Sequence, residues 1–313
     1  MSATLPAAPT VVGVDVGGTA VKAVLVDAHA SVLAEQRRPS PSAGPGIAAR
    51  VVETIVDVVD TLAAGTATPI TGIGLVVPGI VDEAAGVARR SGAFDWHNLP
   101  LPALVSERLG LPVAFGHDVR SGGLAEARLG AAQGCSDVVF IPIGTGISAS
   151  LQIAGRPFAG GGFAGELGHV DVGHAERCVC GRPGCLEAIA SASAISRRYR
   201  ARSGRGVIGA EAVARLVAHG DPDARAVWDE AVDSLALALS WLAGVLAPET
   251  VIIGGGLSRA GDLLMTPLAE RTEQRLTFQR RFRLLPAALG ERAGCLGAAL
   301  LALDAASGTE LPR

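Results

Sequence analysis

The sequence is poor in charge, in aromatic residues and in lysine. Only 18% of its 313 residues are charged and only 4% are aromatic, while 49% are hydrophobic, with Ala, Val, Leu and Gly supplying the bulk. That excludes a disordered chain and describes a packed globular one. The net charge of -3 provides no basic field, which argues against nucleic acid or an anionic membrane surface as partner. Long apolar runs are missing too. The longest, Leu235 to Ala247, continues the acidic stretch Asp229, Glu230, Asp233 and is too short to span a bilayer, so a mean hydropathy of +0.39 reflects buried helix rather than membrane. The first residues, MSATLPAAPT, lack a basic start and an apolar stretch before Val11, so no secretory signal is expected and the cytoplasm is the expected compartment. Of 27 basic residues only Lys22 is lysine. Two familiar phosphate motifs, the GxxxxGK[ST] loop and a GxGxxG opening a helix, are also absent.

What is present begins with length: 313 residues exceed what one hydrophobic core usually organises, which predicts two lobes and a cleft between them. Val11 to Gly17 and Ala20 to Asp27 are β-branched runs joined by Gly17-Gly18-Thr19, which predicts a hairpin, with a third strand over Ser31 to Arg38. Apolar residues at helical spacing from Ile47 to Ala64 predict an amphipathic helix, and Gly72 to Val77 a buried strand. The second half repeats the plan. Val138 to Ile143 and Ile147 to Ile153 flank the turn Gly144-Thr145-Gly146, helices follow near 193–202, 210–218 and 222–247, and a strand at Thr250 to Ile253 runs into Gly254-Gly255-Gly256. This predicts an internal duplication, with one lobe over 1–118 plus a last helix near 293–313, and the other over 119–292.

Two motifs carry chemistry. In Asp15-Val-Gly-Gly-Thr19 the glycines let backbone amides approach an anion, Thr19 adds a hydroxyl and Asp15 can hold Mg²⁺ through water, although the same residues also suit an ordinary hairpin turn. The matching Gly144 to Gly146 turn strengthens the phosphate reading, and Gly254 to Gly256 extends it to a nucleotide pocket. Lys22, three residues past the first turn, is placed to meet a phosphate or an adjacent carboxylate, or else to be a solvated strand residue. The second motif is Glu166-Leu-Gly-His169 followed by Cys178-Val-Cys180 and Gly184-Cys185-Leu-Glu187. Three thiols and an imidazole satisfy tetrahedral zinc in a closed, structural site, with His174 as a rival fourth ligand. Glu166 and His169, three apart, share one face of a helical turn. With Glu187 they offer a zinc-oriented imidazole and two carboxylates to a polyol such as a sugar.

These motifs resemble those of the ROK family, which contains bacterial sugar kinases and sugar-responsive repressors. The resemblance runs from Val11 to about Leu301. It implies an α/β, two-lobed, actin-like (ribonuclease H-like) ATPase fold and a cytoplasmic homodimer or homotetramer. It implies ATP-dependent phosphorylation of a hexose, glucose before N-acetylmannosamine, N-acetylglucosamine, fructose or allose, with ATP, Mg²⁺ and Zn²⁺ as cofactors and a small sugar as substrate. Asp15, Gly17, Gly18, Thr19, Lys22, Gly144, Thr145, Gly146, Gly254, Gly255 and Gly256 then match ATP contacts. Asn98, His117, Asp118, Glu166, His169 and Glu187 match the sugar site, and His169, Cys178, Cys180 and Cys185 the zinc site. Asp118 matches the catalytic base; by position alone it reads equally as a helix N-cap. His117 stands where the family's kinases carry Asn, and Val119 to Gly123 also departs from their Ala/Asn-rich run. Polyphosphate as donor is less favoured by the zinc stretch. The repressors carry a DNA-binding domain ahead of the first phosphate motif, and only 14 residues precede Asp15 here.

Overall fold

The computed structural model describes residues 10–308; the N-terminal segment read for a signal, and the outer ends of the expected first lobe, lie outside them. The chain forms two compact units. The first takes 10–125, Ala159–Phe163 and 291–308, and the second takes Glu126–Phe158 and Ala164–Gly290.

In the first unit, β1 (Thr10–Val16), β2 (Ala20–Val26) and β3 (Val32–Pro39) form an antiparallel meander, and α1 (Ile47–Ala64) crosses over to β4 (Ile70–Val77). There follow a three-stranded meander of β5 (Ile80–Asp82), β6 (Val87–Ser91) and β7 (Trp96–Leu99), then α2 (Leu101–Leu109) and β8 (Val113–His117). Helix α3 (Asp118–Leu129) begins in this unit and continues into the second. The main sheet has the order β3-β2-β1-β4-β8, with β1, β4 and β8 parallel. The Val-rich strands bury both faces, as parallel strands require. One face receives Ile47, Val51, Val52, Ile55, Val58, Val59 and Leu62 of α1, the helical stripe legible in the sequence.

In the second unit, β9 (Val138–Pro142), β10 (Ser150–Ile153) and β11 (Arg156–Phe158) form the meander. Next come α4 (Leu186–Ala190), α5 (Ala192–Ser203), α6 (Gly209–Ala218), α7 (Pro222–Leu246), β12 (Thr250–Gly254), α8 (Asp262–Glu273) and β13 (Arg283–Pro286). The order β11-β10-β9-β12-β13, with β9, β12 and β13 parallel, repeats the first sheet strand for strand. Asp221 caps α7 by accepting from the Ala224 N–H, with Pro222 in its first turn. None of the described helices is long and apolar enough to cross a membrane.

The last helix, α9 (Ala293–Ala306), packs on the first sheet, and the contact is backbone to backbone. Gly13 and Gly74 are register partners on β1 and β4, and a Cβ on either would lie 2.0 Å from the Cys295 carbonyl oxygen or 1.7 Å from that of Ala298. Only glycine fits beneath the small residues of α9. The same helix explains why the units divide after Ala125 rather than at Asp118. Ser121 of α3 meets Gly297, whereas Glu126, fully buried, accepts from the N–H groups of Ala131, Ala288 and Leu289 at 2.9, 3.2 and 2.9 Å.

Two strands differ from expectation. β10 starts at Ser150 rather than Ile147, because the Ile147 N–H goes to the Glu187 carboxylate and the Ala149 N–H to Gly165, leaving an isolated bridge between Ile143 and Ile147. The strand before Asp118, expected over Leu111 to Phe115, is β8 and runs on to His117, and Asp118 is the first residue of the helix expected to start there.

Candidate functional site

Asp15, next to last in β1, pairs in register with Lys22 on β2. Its carboxylate lies against Gly294 in the first turn of α9, where a Cβ would stand 2.6 Å from Oδ2. Burial pushes the Asp15 carboxyl up to about 7, Asp118 nearby adds to the rise, and Lys22 opposes it. A carboxylate so placed suits a divalent cation, which would relieve the crowding of negative charge. Gly17, Gly18 and Thr19 form the exposed hairpin tip, closed by a Gly17 N–H to Ala20 bond of 3.1 Å. Ser40, which the sequence reading missed, bonds to Thr19 through its N–H and to the Gly17 carbonyl through its hydroxyl. Lys22 Nζ lies 3.6 Å from Glu291 Oε2, a carboxylate shared with Arg37 at 3.1 Å. These side chains, with Glu35, Arg292 and Cys295, line a cavity of about 210 Å³. In this structure the lysine therefore faces the adjacent carboxylate.

Asp118 opens α3, and its Oδ1 accepts from the Val119 N–H at 2.7 Å, so it ties down its own helix start as an N-terminal acid does. His117 precedes it at the end of β8, with Nδ1 3.4 Å from Asp118 Oδ1. The His117 N–H and the Arg120 guanidinium both donate to Glu83. Asn98, next to last in β7, has a left-handed conformation, φ 48°, and its Oδ1 accepts from Arg89 at 3.2 Å. Asn98, His117 and Asp118 all lie in the first unit: Asn98 belongs to a polar network with Arg89 and Asp82, and His117 and Asp118 to a second one with Arg120 and Glu83.

In the second unit, Glu187 sits in the first turn of α4, and its Oε2 accepts from the Ile147 N–H at 2.9 Å. A Cβ on Gly146 would lie 2.4 Å from that oxygen, so a side chain there would push the carboxylate off the Ile147 N–H. Ala192 N–H and the Ser193 hydroxyl bind the carbonyls of Gly144 and Thr145, gripping the rest of the turn. Gly255, at φ 73°, crosses β9 so closely that a Cβ would stand 2.4 Å from the Ile143 carbonyl oxygen. The structure thus brings the Gly144–Gly146 and Gly254–Gly256 turns together.

Glu166 and His169 flank a short 3₁₀ turn, and His169 Nε2 lies 3.9 Å from Glu166 Oε2. The other ring nitrogen, Nδ1, is 3.6 Å from Cys178 Sγ, while Cys180 Sγ and Cys185 Sγ are 3.5 Å apart. All four ligand atoms lie within 4.8 Å of one another. Zinc–sulfur bonds of about 2.3 Å give a tetrahedron with edges of roughly 3.8 Å, so donor chemistry and spacing both fit zinc. Burial pushes the Cys185 thiol up to about 12, with Cys180 and Cys178 adding to the rise, and the Arg182 backbone N–H lowers Cys180. His174 takes no part in the cluster. Its Nδ1 accepts from the Glu176 N–H at 3.0 Å, which leaves Nε2 to donate to the Cys185 carbonyl at 3.0 Å, so the rival ligand is a brace for the cysteine loop.

Comparison with known proteins agrees along the length of the chain. The ROK family model matches residues 11–305. The glucokinase of Thermotoga maritima is 35% identical over 308 residues, covering 92% of this chain and 95% of the relative. Among solved structures, the ROK hexokinase from Thermus thermophilus matches with a TM-score of 0.84 at 31% identity, over 96% of this chain and 99% of that one. A ROK glucokinase from Streptomyces griseus, solved with glucose and AMPPNP, matches with a TM-score of 0.82 at 30% identity, over 94% and 99%. The chain belongs to the ROK family and has its two-lobed, actin-like ATPase fold.

Proposed function

We propose that this protein is an ATP-dependent hexose kinase that converts glucose to glucose 6-phosphate, with Asp118 as the base. The observation that carries the reading is Asp118 itself: an aspartate fixed at a strand-to-helix junction, close enough to Asp15 to raise its pKa, in a chain akin to glucokinases over nearly its whole length. Phosphoryl transfer asks a protein mainly to align nucleophile and phosphate and to neutralise charge. Asp118 accepts the proton of the attacking hydroxyl. The amides of Gly17 to Thr19 and Gly144 to Gly146 receive phosphate oxygens, Lys22 leaves Glu291 to add positive charge, and Gly254 to Gly256 give room for the nucleoside. Asp15 would hold Mg²⁺, which shields the phosphate charge when bound.

Glu166, Glu187 and the Nε2 side of His169 serve as sugar contacts in the second unit, and Asn98 and His117 in the first. His169 Nδ1, Cys178, Cys180 and Cys185 would hold zinc, whose contribution is to fix the imidazole's orientation. The reading carries with it a cytoplasmic location, a homodimer or homotetramer, and lobes that act as functional domains.

One observation favours a second reading, in which another hexose is the preferred acceptor. An imidazole at His117 presents one donor and one acceptor on opposite sides of a ring, where an amide presents both at one end. A coupled ADP-release assay over a panel of hexoses and amino sugars decides between the two. Glucose should give the highest kcat/KM, and His117→Asn should change the ranking of the other sugars. Glucose ranking below another hexose would establish the second reading, and no turnover with any sugar would end both.

A further inference from the structure

One dipeptide underlies both sugar-facing segments of the first unit. Asp82, the last residue of β5, accepts from Arg89 at 2.6 Å through Oδ2 and from the Ala85 N–H at 3.0 Å through Oδ1. Its neighbour Glu83 receives the Arg120 guanidinium, with Nε at 3.0 Å and Nη2 at 2.9 Å from Oε1, and the His117 backbone N–H at 3.2 Å from the same oxygen. Arg89 extends its other terminal nitrogen to Asn98 Oδ1 at 3.2 Å. The Arg120 N–H points at His117 Nδ1 from 3.4 Å.

Hydrogen-bond chemistry makes the Asn98 contact directional. A guanidinium has donors only, so the Asn98 atom that faces Arg89 is the carbonyl oxygen, and the NH₂ group is turned away from it. An unrestrained carboxamide could rotate by half a turn and offer oxygen or nitrogen to whatever arrived. Arg89, itself pinned by Asp82, removes that choice, and the left-handed backbone at Asn98 fixes where the side chain starts. Asn98 is therefore a donor towards its ligand. A hydroxyl oxygen can accept from it, whereas an ammonium has no lone pair to offer and would set donor against donor. On the other arm, Arg120 is buried and reaches the partly exposed Glu83, and this bond anchors the first turn of α3.

We infer that Asp82 and Glu83 form a positioning pair for the acceptor sugar. Through Arg89 they make Asn98 a hydroxyl-selective donor, and through Arg120 they hold the His117–Asp118 turn in place. The substrate class that follows is a neutral hexose in preference to one bearing an ammonium where Asn98 meets the sugar. This rests on the reading of Asn98, His117 and Asp118 as sugar-facing residues.

The test compares wild type, Arg89→Met, Arg89→Lys and Glu83→Gln with glucose, 2-amino-2-deoxyglucose and 3-amino-3-deoxyglucose. Arg89 is half exposed, and methionine keeps much of its stem, so folding is expected to survive. Wild type should favour glucose over at least one amino sugar by 100-fold or more in kcat/KM, roughly what a mismatched polar contact costs. Arg89→Met should raise the glucose KM about tenfold and cut that preference about tenfold, with kcat and the KM for ATP within about threefold of wild type. Arg89→Lys, still a donor, should recover part of the loss. Glu83→Gln keeps an acceptor for the His117 N–H but loses the charge, and should lower kcat about tenfold with little change in preference. Arg89→Met with both glucose KM and preference within twofold of wild type would overturn the inference while leaving the kinase reading intact. A wild type that phosphorylates no hexose would overturn both.

Discussion

The two five-stranded sheets share strand order and direction, yet the strand that opens each ends in different chemistry. β1 ends near Asp15, paired with the only lysine and pressed against the start of α9. Its counterpart β9 ends at Pro142 and leads into a turn with no acid of its own, and the nearby carboxylate is Glu187, delivered by α4. The meanders differ as well. β2 and β3 span 7 and 8 residues, whereas β10 and β11 span 4 and 3, and β10 starts late because the amides before Ser150 are used on Glu187 and Gly165. The duplicated scaffold is thus used differently in its two copies: the first concentrates charge at the end of its opening strand, and the second gives up ladder bonds to build the motif with the Cys–His cluster.

Breaking the first copy's chemistry should have the largest effect. Asp118→Asn keeps size and removes basicity, so kcat should fall by about 10²- to 10⁴-fold while the sugar dissociation constant stays within a few-fold. Steady-state kinetics with calorimetric sugar binding checks this, and turnover within threefold of wild type would remove Asp118 from the role. The second copy's equivalent is Cys180→Ser, which should lose zinc and weaken sugar binding by about 10- to 100-fold, since His169 loses its orientation. Metal analysis should give one zinc per chain in wild type and none in the variant. Lys22→Ala should have a smaller effect, raising the KM for ATP several-fold and that for sugar less. Equal or absent effects would mean that Lys22 serves Glu291 alone.

The smallest effect sharpens the contrast through stability. Asp15 titrates near 7 when folded and near 3.8 in its ordinary state. Below about pH 4 it is protonated in both states and costs nothing. As pH rises towards 7 the unfolded chain ionises first, so stability is lost over that window and stays lost above it. Asp15→Asn cannot ionise, so without nucleotide its Tm should exceed that of wild type by a few degrees at pH 8 and match it at pH 4. A lower Tm at pH 8 would show that the carboxylate stabilises the fold.

Features written in contiguous residues were legible in the sequence. The Asp15–Lys22 hairpin, the stripe of α1, the repeated Gly-Thr turn and the cysteine spacing each need only a short window. The meander of β5, β6 and β7 escaped notice because strands of 3, 5 and 4 residues leave too little periodicity. Glu126, Ser40 and the Asp82–Glu83 pair were invisible for another reason. Asp82 apart, whose Ala85 and Arg89 are near in sequence, their partners lie mostly far along the chain, and nothing local distinguishes a carboxylate that will take buried amides from one that stays in water. A glutamate four residues after Gly122 in a helix of small residues was the one available signal for Glu126. His174 shows the converse: spacing offered it as a ligand, and only its two backbone partners reveal that both ring nitrogens are engaged.

The central claim is that this chain moves the terminal phosphoryl group of ATP to a hexose hydroxyl with Asp118 taking the proton. Phosphorus NMR of the wild-type protein with glucose and Mg²⁺·ATP tests it most directly. One sugar phosphate, at the 6-position, should form for each ADP, and neither product should accumulate with Asp118→Asn on the same timescale. ADP released with inorganic phosphate and no sugar phosphate, or sugar phosphate formed at the wild-type rate by Asp118→Asn, would contradict the account.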